Sequence, residues 1–84
     1  MIQVTIYTTS YCPYCHAAKD LLESRGVAFE EIDVTGDHAE RARLAERTGR
    51  RTVPQVFVGG EAIGGYDDLA ALERDGRLGA LLGE

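Results

Sequence analysis

The chain has 84 residues, a formal net charge of −5 and 44% hydrophobic residues. That length suits one domain, residues 1–84, around one modest core, and the composition leaves no disordered tail or low-complexity linker. The acidic balance argues against general affinity for nucleic acid or acidic lipid, although a local basic patch at Arg50 and Arg51 stays open.

In chain order, Ile2, Val4 and Ile6 alternate with Gln3, Thr5 and Tyr7, the period of a strand. The same opening has no basic n-region and no long apolar core, so no leader is read there. No run is long enough to span a bilayer, and no membrane association is expected. The expected compartment is the cytoplasm, where thiols are kept reduced, so two cysteines point to redox or metal chemistry before a structural staple. "TTSYCPYC" breaks the strand pattern. Ala17, Ala18, Leu21 and Leu22 then recur at helical spacing up to Gly26, a natural stop.

"VAFEEIDV" predicts a second strand with Val27, Phe29 and Ile32 turned inward. Between Gly36 and Gly49 lies a polar helix with a thin apolar stripe of Ala42, Leu44 and Ala45. "TVPQVFVGGEAIGG" predicts two short strands around the Gly59–Gly60 turn. A last helix follows from "YDDLAALERDGRLGALL", capped by Asp67 or Asp68 and interrupted at Gly76 before a final apolar turn. The order is β-α-β-α-β-β-α. Its first strand–helix–strand unit implies a parallel pair with a right-handed crossover, and its hairpin is antiparallel. The compact layout with this order is the thioredoxin fold, an α/β arrangement of a four-stranded mixed sheet flanked by helices.

The chemistry concentrates at "CPYCH". Cys12 stands where the strand has ended and the helix begins. Pro13 suits the first helical position, because its fixed φ fits and its missing N–H would be unpaired there anyway. The N–H groups of Tyr14 and Cys15 are then expected to face the Cys12 sulfur. A helix N-terminus favours a thiolate, and Cys-X-X-Cys sites show pKa values of about 3.5–7.5. Cys12 is therefore the expected nucleophile. Cys15 lies one turn on, within reach of disulfide closure, and shares a face with Ala18 and Leu22, so it is the expected resolving thiol. A zinc site would need four ligands, and only His16 and His38 remain to complete one. Covalent haem, which the C-x-x-C-H letters allow, would need export and a second axial ligand, and the only methionine is Met1.

Two further stretches matter. Pro54 heads an apolar strand, where a proline is tolerated. A cis Val53–Pro54 bond would expose the Val53 backbone for pairing with an extended peptide or a thiol substrate. In "IGGYDDL", Gly64 and Gly65 allow close backbone approach ahead of a helix N-terminus that can hold a carboxylate, and Asp67 could hold an amino group. Taken alone, that stretch is better read as a hairpin exit with an ordinary Asp cap.

"CPYC" at 12–15, "TVP" at 52–54 and "GGYDD" at 64–68, spaced along the whole chain, resemble the dithiol glutaredoxins, nearest the short bacterial glutaredoxin 3 type. The resemblance implies a glutathione-dependent thiol–disulfide oxidoreductase. In it Cys12 takes the glutathionyl group from a mixed disulfide, a second glutathione releases it, and Cys15 resolves protein disulfides. It also implies that Thr52 and Val53, beside Pro54, hold the glutathione cysteine by backbone pairing. Gly65, Tyr66 and Asp67 would hold the γ-glutamyl end, Tyr14 would line the groove, and Arg51 would meet the glycine carboxylate. The implied partners are glutathione, as reducing cosubstrate, and glutathionylated or disulfide-containing proteins. No tightly bound cofactor or metal is implied, and the protein is expected to act as a monomeric electron carrier at about −200 to −230 mV.

Two alternatives stand beside this one. A redoxin served by thioredoxin reductase is disfavoured by the glutathione-type groove ends, Arg51 and Asp67. A carrier of an iron–sulfur cluster bridged through Cys12 and glutathione usually has glycine after the nucleophile, where this chain has Pro13. One departure from the family pattern is Thr9, where members often carry a lysine, so a positive charge near the thiolate is absent.

Overall fold

The computed structural model describes residues 2–83. Its elements are β1 (Val4–Thr8), α1 (Pro13–Ser24), β2 (Glu30–Asp33), α2 (His38–Thr48), β3 (Gln55–Val58), β4 (Glu61–Gly64), α3 (Tyr66–Arg74) and α4 (Leu78–Leu81). The strands form one sheet in the order β2-β1-β3-β4. β1 and β2 are parallel, while β3 runs antiparallel to both β1 and β4. This is the mixed four-stranded sheet expected of a thioredoxin fold.

Alternation along β1 and β3 divides the core between the two faces of the sheet. Val4, Ile6, Val56 and Val58 pack with Ala18 and Leu22 of α1, Leu69 of α3 and Leu78 of α4. Tyr7 and Phe57 point the other way and pack with Val34 and with Leu44 of α2. Their rings meet edge to face at 5.6 Å. The two central strands thus put helices on both faces, and β1 ends and β3 begins at the edge where the cysteines lie.

Local chemistry sets the element ends. Asp37 caps α2, its carboxylate accepting from the Glu40 N–H at 3.0 Å, and Gly49 closes that helix in the left-handed region at φ 75°. Gly76, at φ 72°, separates α3 from α4.

Two expectations are corrected. β2 is shorter than expected and begins at Glu30, because the Val27 N–H is taken by the Leu22 carbonyl in closing α1. Val27 and Phe29 pack on the α1 side, whereas Ile32 packs on the α2 side. On α2 only Leu44 is fully buried, and Ala42 is exposed, so the apolar stripe is narrower than the sequence suggests. Of the two expected candidates, Asp67 and Asp68, the one that caps α3 is Asp68, as shown below. No helix among the described residues is long and apolar enough to cross a membrane.

Candidate active site

β1 delivers the chain to a tight turn that ends on Cys12, the N-cap of α1. The turn is held by the Cys12 N–H on the Thr9 carbonyl at 3.4 Å and by the Ser10 N–H on Thr35 Oγ1 at 2.9 Å. Pro13 is the first helical residue, as its geometry demands. Both cysteines are free thiols.

The Cys12 sulfur does not take the expected place against the helix amides. The Cys15 N–H goes to the Cys12 carbonyl at 3.2 Å, and the Cys12 thiol donates to the Val53 carbonyl at 3.6 Å. The Cys15 and His16 N–H groups are both taken by the Cys12 carbonyl, and the thiol finds its partner in the Val53 carbonyl. Cys15 is fully buried, with Ala18 and Leu22 on the same face of α1. Burial pushes its thiol up from 9.0 to about 11, a Thr9 backbone hydrogen bond opposes the rise, and neighbouring Cys12 adds to it.

Val53–Pro54 is a cis bond. It puts the Val53 carbonyl at Cys12, and Pro54 itself is buried. The preceding loop is fixed from beneath by Gln55, 3% exposed, whose amide donates to the carbonyls of Arg50 at 2.8 Å and Thr52 at 2.9 Å. Sequence reasoning missed Gln55. The available signal was a lone amide heading a strand of otherwise apolar residues, where a buried polar group must find partners.

Beside Cys12 runs a groove of about 320 Å³. Of the expected residues, Tyr14, Thr52, Val53, Pro54, Gly65, Tyr66 and Asp67 all line it. Tyr14 and Tyr66 face each other across 6.2 Å between ring centroids. Gly65 is there because of close approach: a Cβ on it would lie 3.3 Å from the Pro54 carbonyl. Gly64, at φ 121°, has the Asp68 carboxylate in the space a Cβ would need.

Two charged residues of the groove went unforeseen as site residues. Asp68 accepts from the Gly65 N–H at 3.0 Å, the reciprocal half of a capping box, and pairs with Arg50 at 2.7 Å. Arg50 first, then the Gly65 N–H, holds the Asp68 carboxyl below its ordinary range. Asp67 is exposed and free of the capping task. Arg50 lines the groove, whereas Arg51 is not brought to it. Arg51 instead faces α2, in a depression shared with His38, Arg41, Ala42 and Ala45. Thr9 is 2% exposed, and its hydroxyl has no partner among the described residues.

The Glutaredoxin family model matches residues 4–63. Glutaredoxin 3 of Escherichia coli strain K12 is 51% identical over 82 residues, covering 98% of this chain and 99% of the relative. A glutaredoxin of Pseudomonas aeruginosa is 54% identical over 82 residues, covering 98% of each. The crystal structure of a buckwheat glutaredoxin–glutathione complex superposes with a TM-score of 0.92 at 35% identity, covering 98% of this chain and 77% of that one. The solution structure of glutaredoxin from Brucella melitensis does so at 0.88 with 48% identity, covering 100% and 94%.

Proposed function

The chain belongs to the glutaredoxin family, and from that premise we propose how its residues divide the work of a glutathione-dependent thiol–disulfide oxidoreductase. The observation that carries the reading is the placement of the two sulfurs. Cys12 opens α1 beside the groove at the Val53 carbonyl, and Cys15 lies buried one turn below.

In the monothiol cycle the Cys12 thiolate attacks the glutathione sulfur of a mixed disulfide. The bond to the substrate sulfur breaks, and the substrate leaves as a thiolate that takes a proton from solvent. A second glutathione thiolate then attacks the glutathione sulfur on Cys12, forming glutathione disulfide and returning Cys12. On a protein disulfide, Cys12 forms the mixed disulfide with one protein sulfur. Cys15 loses its proton and attacks Cys12, expelling the reduced protein and closing the Cys12–Cys15 disulfide, which two glutathiones reopen. The partly exposed Cys12 sulfur is where external thiols arrive.

Glutathione lies in the groove with its cysteine paired to the Thr52–Val53 backbone beside Pro54. Its γ-glutamyl end reaches Gly65, Tyr66 and Asp67 at the start of α3, where unpaired N–H groups and the helix dipole receive a carboxylate and Asp67 receives the amine. Tyr14 forms the wall. Arg50, paired with Asp68 at this same end of the groove, adds a cation beside the γ-glutamyl carboxylate. The protein acts as a one-domain monomer on glutathionylated and disulfide-bearing proteins in the cytoplasm, where a reducing glutathione pool supplies electrons. Neither the thioredoxin-reductase reading nor the cluster-carrier reading is needed. The test is a coupled assay of glutathione, glutathione reductase, NADPH and a small mixed disulfide. NADPH consumption that depends on the protein is expected, and its absence would remove the reading.

A further inference from the structure

We propose that the Thr9 hydroxyl is the donor that holds the Cys15 sulfur as a thiolate while it attacks Cys12. The proposal rests on the oxidoreductase reading and adds a residue to its resolving step. Thr9 follows the last residue of β1 and is 2% exposed, and its hydroxyl has no hydrogen-bond partner among the described residues. The hydroxyls on either side of it are engaged. Thr8 donates to Glu31 at 2.7 Å, and Ser10 accepts from Thr35 at 3.4 Å. A buried polar group without a partner weakens a fold, and a valine would fill the same space without that cost. Such a group calls for a second reason, and a catalytic role is one of the few.

The surroundings of Thr9 supply that reason, because it stands between the two cysteines. Its carbonyl accepts from the Cys12 N–H at 3.4 Å, and its backbone also hydrogen-bonds the Cys15 sulfur. The second contact favours the thiolate, so the Thr9 N–H is the donor in it. A threonine hydroxyl lies beside its own N–H. Rotation about one side-chain bond exchanges it for a methyl group of similar size, so Thr9 can turn Oγ1 to the same sulfur without repacking.

At rest, Cys15 is a fully buried thiol on the face of α1 that carries Ala18 and Leu22, and it needs no second donor. The demand arises in the resolving step. Cys15 gives up its proton, its sulfur bonds to Cys12 Sγ, and the bond from Cys12 to the substrate sulfur breaks. The electron pair leaves on that substrate sulfur, which takes up a proton in turn. Lys19, one turn along α1, favours the thiolate from a distance but is paired with Glu31 at 3.0 Å. A donor that is idle at rest and engaged only when charge forms stabilises the reacting state over the resting one.

The test is a pH jump on protein carrying glutathione on Cys12. The mixed disulfide is held in acid and brought to neutral pH, and closure of the Cys12–Cys15 disulfide is followed by the glutathione released. Thr9→Val keeps the shape and removes the donor. Losing a hydrogen bond to a charged sulfur should cut the thiolate fraction about tenfold or more. Greater nucleophilicity returns about threefold of that, so closure should slow at least ~3-fold. Thr9→Ser keeps the hydroxyl and should close at close to the wild-type rate. Thr9→Ala set against Thr9→Ser gives the same comparison if Thr9→Val does not fold. Closure as fast in Thr9→Val or Thr9→Ala as in the wild type would overturn the proposal. So would a Thr9→Ser as slow as Thr9→Val, which would make the lost methyl packing the cause. Clearance of Cys12 by external glutathione in a Cys15→Ser background does not involve the buried sulfur, and an equal slowing of it by Thr9→Val would also overturn the proposal. A wild-type protein whose Cys12 accepts no glutathionyl group would instead strike the oxidoreductase reading itself, and the proposal would fall with it.

Discussion

In a Cys12→Ser variant, Cys15 is the only thiol, and its reactivity can be worked from its surroundings. Burial is the largest cause of its raised pKa and is untouched by the substitution, whereas the contributions of Cys12 are lost, so the rise from 9.0 to about 11 is an upper bound for the variant. At neutral pH that rise cuts the thiolate fraction about 100-fold relative to an ordinary cysteine. A more basic thiolate is a better nucleophile, and a Brønsted slope of about 0.4–0.5 returns roughly a factor of 6–10. The net expectation is alkylation slower than that of a free thiol by up to about tenfold, before any account of access to a fully buried sulfur. The assay is mass-spectrometric trapping with iodoacetamide at neutral pH, beside an unstructured cysteine peptide. A Cys15 that reacts as fast as the peptide would refute the reasoning.

The same burial makes stability pH-dependent. The folded-state pKa of Cys15 is raised, so its contribution is intact below the unfolded-state value and is lost as pH rises from about 9 to about 11. Denaturant melts across that window should show a loss on the order of 2–3 kcal/mol that Cys15→Ala does not share. Asp67→Ala should raise the glutathione KM severalfold at unchanged melting temperature, since Asp67 caps nothing. Asp68→Ala should instead cost about 1 kcal/mol in denaturant melts, through the lost contact to the Gly65 N–H. If the two variants exchange these effects, the assignment of cap and contact is wrong.

Much of this architecture is legible in the residues. Alternation in β1, the Gly59–Gly60 turn and the helical spacing of Ala18 and Leu22 all appear in the structure where the pattern puts them. Pro13 marks the helix start because only a first-turn position tolerates it. What stayed hidden depends on orientation between neighbours. Arg50 and Arg51 are adjacent but border different depressions, and composition does not tell which faces the groove. Asp67 and Asp68 both line the groove but are separated by one step of helical rotation, which ties Asp68 to the cap and leaves Asp67 free of it. The direction of the Cys12 thiol depends on the Val53 carbonyl, 41 residues away in sequence, which no local pattern reveals.

The division of labour between the two cysteines is the central claim, and a two-by-two measurement tests it most directly. Cys12→Ser and Cys15→Ser are each assayed on a glutathione mixed disulfide and on a protein disulfide. Cys12→Ser is expected to lose both activities. Cys15→Ser should keep reduction of the glutathione mixed disulfide and lose that of the protein disulfide, because only the second reaction calls on the buried sulfur. Equal loss of mixed-disulfide reduction in the two variants would contradict the account.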